Sequence, residues 1–372
     1  MFFGAGNVVF PLGLGRVAGN MNFYAILGLL LSAVLIPFTG VIAMFLFEGD
    51  YQSFFVRIGK IPGFFVTAFL MCIIGPFVAI PRCITLSYST LKLYFPSTSL
   101  VFFSITACVI IFILTRKRRK ILDILGYVLA PILVLSLVIL VVKGLIIHPE
   151  SIQTDHTRLG IFYYGLKEGY FTMDLFAAFF FSVVILIGLK KSLGASFDTK
   201  TVQGKKELLS ITLKSTLVGA GLIGLIYSGF SFVSSFYGSE LYGVQKDTIL
   251  SVLADKILGP IGGIIANTCV MLACLTTAMT LVAVFSEFIQ NQIFKKRFNY
   301  ISCLLITLIF SFVFSNLGFM GILKMSAPIL HICYPVLILL TVLNVGHRMF
   351  GFKFVKIPVL VAFIISFIVY FI

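Results

Sequence analysis

Tryptophan is absent from this 372-residue chain, and charge is scarce: Asp, Glu, Lys and Arg together make up 11%. A soluble domain carries about a quarter charged residues, so a soluble globular fold is excluded. Hydrophobic residues reach 60% and the mean hydropathy is +1.12, the composition of a polytopic all-α membrane protein. Acid is scarcer than base, 13 residues against 28, which leaves a net charge of +15. Such an excess can mark a nucleic-acid binder. Here the bases fall between apolar runs, where a membrane explains them better, and no nucleic-acid partner is expected. No CxxC pair occurs among the seven cysteines. Nearly all lie in apolar runs and read as small buried residues, not as a metal or disulfide set. No HExxH or DxD pattern occurs and the loops are short, which argues against an enzyme working at one membrane surface. No cofactor and no obligate protein partner are implied. Phe (41) and Tyr (14) must supply any interfacial belt.

What is present is a series of long apolar runs, near 1–15, 22–47, 62–90, 98–114, 121–147, 164–189, 207–236, 261–289, 299–316, 324–345 and 355–372. Counted as membrane segments they make eleven, the first short. Loops expected on one side hold Arg57, Lys60, Arg116, Lys117, Arg118, Arg119, Lys120, Lys190, Lys191, Lys200, Lys205, Lys295, Lys296, Arg297, Arg348 and Lys353. The other side holds only Arg16, Lys92, Arg158, Lys246 and Lys256. The basic side is expected to be cytoplasmic, and segment 1 then runs outward. Arg116–Lys120 reads as an anchor on anionic lipid.

The first run is only half a span. From Gly4 to Gly15 a helix covers about 16 Å, against a hydrocarbon core of roughly 30 Å. Met1 is thereby expected near the bilayer midplane, where a charged terminus is costly. The reading this favours is a natural chain that extends upstream; the other is a short re-entrant start. Gly–Ala–Gly–Asn (4–7) at that depth reads as a helix interruption, with freed amides and carbonyls that need partners. The half-helix beginning near Asn7 would aim its N-terminal amides at this spot, which suits a carboxylate.

Transporters of inverted-repeat design place a second interrupted helix five segments later. Segment 6 contains GYFTMD, with Asp174 the one acid clearly deep in a span. It is either a capping acid or a gate or coupling residue. In segment 8, Ala273, Thr276 and Thr277 are spaced i, i+3, i+4 and share a face. Two hydroxyls and a carbonyl are hard, uncharged ligands that suit Na⁺. Alternatively the hydroxyls bond their own backbone. Arg82 reads as an outer-interface arginine or a gate residue, and His331 as packing or a proton relay.

FFGAGNVVFPLGLG, IGPFVAIPR, GYFTMD, the Ala–x–x–Thr–Thr face and FSNLGFMGILKMSAPILHICYP together resemble the branched-chain amino acid:cation symporters (the LIVCS family), and more distantly the LeuT-type fold of the amino acid-polyamine-organocation superfamily. The resemblance covers almost the whole chain. It implies one transporter domain over 1–372: a 5+5 inverted repeat, with 1–147 as the first half (helix 1 incomplete), 164–345 as the second and 355–372 as an added helix. Helices 1 and 6 are then the interrupted ones. It implies alternating-access import of leucine, isoleucine or valine with Na⁺ or H⁺, across a bacterial inner membrane. Residue by residue it implies that Asn7 and Thr172 contribute to one sodium site. Phe3, Ala273, Thr276 and Thr277 contribute to a second. Phe3, Gly4, Ala5 and Gly6 meet the substrate, Phe171 covers it, and Asp174 or nearby carbonyls take its amine. Segment 7 offers no convincing amide for the first site; Lys214 lies in that region. The apolar residues Phe2, Phe3, Ala5, Phe171, Met173 and Leu175 favour an aliphatic cargo over another amino acid or a nucleobase. A channel would favour charged rings or filter loops, which the two broken helices do not resemble.

Overall fold

The computed structural model describes residues 4–116, 121–147, 151–192 and 202–372. Phe2, Phe3, Lys117 to Lys120, His148 and Lys200 therefore lie outside the described residues. Among those described the chain is helical throughout, with no strand. Five helical stretches are long and apolar enough to cross a membrane: Ala5–Leu46, Lys60–Lys92, Leu208–Phe236, Ile249–Ile293 and Gly318–Phe350. Four shorter apolar helical stretches accompany them: Leu100–Arg116, Pro131–Ile146, Tyr300–Ser315 and Lys356–Phe371. Large apolar side chains such as Phe102, Leu225, Ile261 and Phe371 stand exposed. Such a surface suits lipid rather than water.

The chain begins with α1 (Ala5–Ala18), then α2 (Asn22–Leu30), a π-helical turn (Leu31–Leu35) and α3 (Ile36–Leu46). The π turn precedes Pro37, whose ring cannot continue a regular ladder. A short α4 (Tyr51–Val56), unexpected from sequence, is capped by the Asp50 carboxylate, which accepts the Gln52 N–H at 2.9 Å. Then come α5 (Lys60–Cys72), a second π turn (Ile73–Phe77) and α6 (Ala79–Lys92). The joint bends at Gly75 (φ −85°, ψ −126°), next to Pro76. α7 (Leu100–Arg116) and α8 (Ile121–Ile146) follow.

The apolar run expected at 164–189 is two helices, α9 (Arg158–Tyr170) and α10 (Asp174–Ser192), parted by Phe171, Thr172 and Met173. After α11 (Val202–Phe236), α12 spans Ile249–Phe288, twelve residues before the expected start. The apolar reading stopped at 261 because Asp255 and Lys256 interrupt the run. The backbone turns there, at Gly259 (φ 74°) followed by Pro260. Nearby, the Tyr94 hydroxyl donates to Asp255 at 2.8 Å and accepts from Asn267 at 2.8 Å. Burial, foremost, pushes this loop phenol up to about 12. α13 (Tyr300–Ser315), α14 (Gly318–Phe350) and α15 (Lys356–Phe371) complete the chain.

Two groups of helices emerge from the packing. α1 lies on α11, α2 on α9, and α3 on α10. Separately, α12 lies on α6, α8 and α13, and α13 on α7. Lipid tails are as apolar as leucine, so close helix approach must come from small residues. The α2–α9 contact shows this reciprocally. A methyl at Gly165 would sit 2.0 Å from the Ala25 carbonyl oxygen, and one at Gly28 2.1 Å from that of Phe162. Gly165→Val should therefore destabilise the protein by about 1–3 kcal/mol or more. Gly346→Ala, with no neighbour within 4 Å, should change little. Thermal unfolding in detergent, followed by size-exclusion profile, checks the pair. Equal melting of both variants would contradict the close contact.

Candidate functional site

The start of α1 meets the gap between α9 and α10. Gly4 is extended (φ −129°, ψ −167°) and caps α1. Asn7 turns back, and its Oδ1 accepts the Gly4 N–H at 2.8 Å. Its Nδ2 donates to both carboxylate oxygens of Asp174, at 2.9 and 3.2 Å, and also contacts the Tyr227 hydroxyl. That hydroxyl donates to Asp174 Oδ2 at 2.7 Å. All three side chains are buried. Asp174 is also the first residue of α10, where the helix dipole favours an anion. Amide, phenol and helix end together offset the cost of a carboxylate at this depth.

The gap itself is shaped by Met173, whose φ of 62° is left-handed without being glycine. Such a conformation costs about 1–2 kcal/mol for an L-residue and persists where surrounding contacts impose it. The Arg82 guanidinium does so: Nη1 donates to the Phe171 carbonyl at 3.0 Å and lies 3.1 Å from Met173 Sδ. Gly6 lets the two elements touch, for a methyl there would lie 3.1 Å from Thr172 Cα.

A cavity of about 60 Å³ lies at this junction. Gly4, Ala5, Gly6, Asn7, Thr172, Asp174 and Thr277, all singled out from sequence, line it together with Arg82. Ile74, Ala79, Ala177, Phe181 and Leu281 supply an apolar wall. Phe171 instead stacks on Phe10, centroids 5.4 Å apart. Ala273 and Thr276 are not among the lining residues, and Phe3 lies outside those described. The Thr172 hydroxyl donates to the Gly169 carbonyl at 2.8 Å. Thr276 and Thr277 both donate to the Ala273 carbonyl, at 2.8 and 2.9 Å. The backbone-bonded reading of these threonines thus holds, yet a hydroxyl that donates keeps lone pairs for a cation. Hydroxyl, amide and carboxylate oxygens at this junction are hard ligands. Lys214 is exposed and is not among the lining residues.

Beyond the cavity, Phe10 carries the Arg82 guanidinium at 4.8 Å and the Lys246 ammonium at 5.9 Å from its centroid. Lys246 pairs with Glu168 at 2.8 and 3.0 Å.

The family model described as branched-chain amino acid transport protein matches residues 1–371. This chain belongs to that family. It is 32% identical over 363 residues to the branched-chain amino acid permease BrnQ of Bacillus subtilis, covering 95% of this chain and 80% of that protein. A putative branched-chain amino acid carrier protein of Staphylococcus haemolyticus is 30% identical over 390 residues, covering 98% and 84%. Another, from Staphylococcus aureus strain bovine RF122, gives the same identity and coverage.

In this branched-chain amino acid transport family member, Tyr227 of α11, a residue not singled out from sequence, bonds the Asp174 carboxylate. Its signal was a lone phenol inside an apolar stretch, but nothing local says which way it faces. Arg82 is buried, 3% exposed, and its guanidinium holds the break. Tyr227→Phe removes one donor to a buried carboxylate, and should lower stability by about 1.5–3 kcal/mol. Thermal unfolding of the ligand-free protein measures this; an unchanged transition would mean that the phenol is dispensable to Asp174.

Proposed function

We propose that the chain is a secondary-active importer of leucine, isoleucine and valine, driven by Na⁺ and working by alternating access in a bacterial inner membrane. The observation that carries this reading is the cavity at the junction of α1, α9 and α10. It combines helix-end amides, a buried acid and an aliphatic wall of the kind a zwitterion with a branched side chain needs. The names of the family and of its relatives point to the same cargo.

Na⁺ would be held by oxygens of Asn7 and Thr172 at one site and of Ala273, Thr276 and Thr277 at another, with the Phe3 carbonyl joining the second. Thr277 lies beside Gly4, where a methyl would meet its Cγ2 at 3.3 Å. An ion there would bridge α1 and α12, one helix from each packing group. The substrate carboxylate meets the first-turn amides of α1, which the helix itself leaves unsatisfied. Its ammonium meets Asp174. A proton-coupled form is favoured by one observation only, the buried Asp174 carboxylate, which has the chemistry to take a coupling proton.

A cavity of about 60 Å³ is well short of the ~150 Å³ that takes a benzene-sized guest. Leucine therefore requires the junction to widen. On the orientation given by the basic loops, Phe10–Phe171 and Lys246–Glu168 close the outer path. A second, apolar cavity of about 220 Å³ reaches Asp174 from the expected inner half, between Ala33, Pro37, Ser215 and Thr216. The group formed by α1–α3 and α9–α11 would rock against α5–α7, α12 and α13. Ion binding favours one state only through unequal affinity for the two.

The test is uptake of labelled leucine into proteoliposomes. An inward Na⁺ gradient should drive accumulation at equal pH on both sides; accumulation that follows only a pH gradient would replace Na⁺ by H⁺. No accumulation under either gradient would refute the transport reading. Asn7→Ala should weaken leucine affinity and Na⁺ activation together, each by about tenfold. Unchanged Na⁺ activation would remove Asn7 from the ion site. Thr276→Val with Thr277→Val keeps shape and should abolish coupled uptake, with normal insertion in the membrane. A double variant that concentrates leucine like the parent would leave those hydroxyls with a structural role alone.

A further inference from the structure

Arg82 carries a charge to the junction that the account so far uses only to hold backbone. Nη1 is engaged by Phe171 and Met173. Nε and Nη2 are buried and have no hydrogen-bond partner among the described residues. No carboxylate among the described residues answers them. Glu168 is taken by Lys246, and Asp174 by Asn7 and Tyr227. Arg82 and Asp174 form no ion pair with each other, although both line the same cavity. A guanidinium withheld from water with three of its five N–H donors unused is costly unless an anion arrives. Two rings fix its plane, Phe10 at 4.8 Å and Phe319 at 5.9 Å. The Nε–Nη2 edge is sealed from water here, so a ligand reaches it only as the junction widens.

We propose that Arg82 is a substrate-binding residue whose Nε–Nη2 edge takes the α-carboxylate of the transported amino acid, opposite Asp174, which takes the ammonium. The inference rests on the transport reading above and deepens it. A free zwitterion supplies at once the anion that Arg82 lacks and the cation that suits Asp174. Two parallel N–H···O bonds to a carboxylate match the fork of a guanidinium in a way that a lysine cannot. The α1 amides then add to this contact instead of bearing it alone. Cargo lacking either charge leaves a buried ion unanswered, so amides and amines with the same side chain are rejected. Because Nη1 holds the Phe171 carbonyl, the bound carboxylate is also tied to the break, next to the Phe10–Phe171 stack.

The experiment is calorimetric titration of the purified full-length protein, in saturating NaCl, with leucine, leucinamide and isoamylamine. Leucinamide keeps the ammonium and side chain but has no carboxylate. The parent should prefer leucine to leucinamide by about 100-fold, and Arg82→Gln should lose about 100-fold for leucine while leucinamide and isoamylamine stay within about threefold. Arg82→Lys, which keeps charge without the fork, should lose about tenfold for leucine alone. The proposal is overturned if Arg82→Gln binds leucine as the parent does. It is equally overturned if leucine and leucinamide weaken in parallel, since that is what a purely structural arginine would give. Should Arg82→Gln fail to fold, Arg82→Lys decides, and parental preference for leucine in that variant overturns the proposal. A parent that binds no leucine at all refutes the transport reading itself, a result distinct from all of these.

Discussion

The hydrogen bonds from Asn7 and Tyr227 to the Asp174 carboxylate tie three helices together at one buried point. Asn7, Asp174 and Tyr227 come from three different helices, and the first two stand in the opening turns of α1 and α10. A helix that starts in a low-dielectric interior leaves its first amides without partners. Here each side chain satisfies more than one demand. Asn7 Oδ1 caps its own helix through Gly4 while Nδ2 reaches across to the acid. Asp174 sits at the positive end of α10 and faces the positive end of α1. Removing any one of these groups leaves an ion or a helix end exposed to an apolar interior.

Much else follows from the need to interrupt helices at that point. Met173 must take a left-handed turn, and Arg82 supplies the donor that the Phe171 carbonyl requires there. Glycines at 4 and 6 let the start of α1 approach Thr277 and Thr172. The aromatic stack of Phe10 on Phe171 then covers the junction, with the Lys246–Glu168 pair beyond it. The site is thus a seam between two helix groups, which is where a small relative movement changes access most.

Much of this was legible in the sequence because membrane chains spend polar residues sparingly. An amide flanked by glycines and a single deep acid stand out against 60% hydrophobic composition. Apolar runs also marked where long apolar helices lie, as at Lys60–Lys92 and Gly318–Phe350. Where the reading faltered, the reason was orientation or backbone detail. Tyr227 is one of 14 tyrosines, and only the packing of α11 on α1 gives it a role. Arg82, late in its apolar run, reads from sequence as either an outer-interface arginine or a gate residue. α6 directs it inward, beyond the Gly75–Pro76 bend. Of the threonine pair, the shared face gave both residues equal standing, whereas only Thr277 lines the cavity. Helix ends at charged stretches, as at Asp255 and Lys256, cannot be found from hydropathy, because the helix continues through them outside the apolar run.

The central claim is that the α1 start and the 171–174 break form one site, which ion and amino acid close together. Hydrogen–deuterium exchange on the full-length protein in nanodiscs tests this most directly, comparing no ligand, Na⁺ alone, leucine alone, and both. With both present, the account predicts strong protection in peptides covering 4–12 and 168–178, a weaker effect at 273–281, and little change in α15. Protection of the same size in α15, or none at the two breaks when leucine is bound, would contradict it.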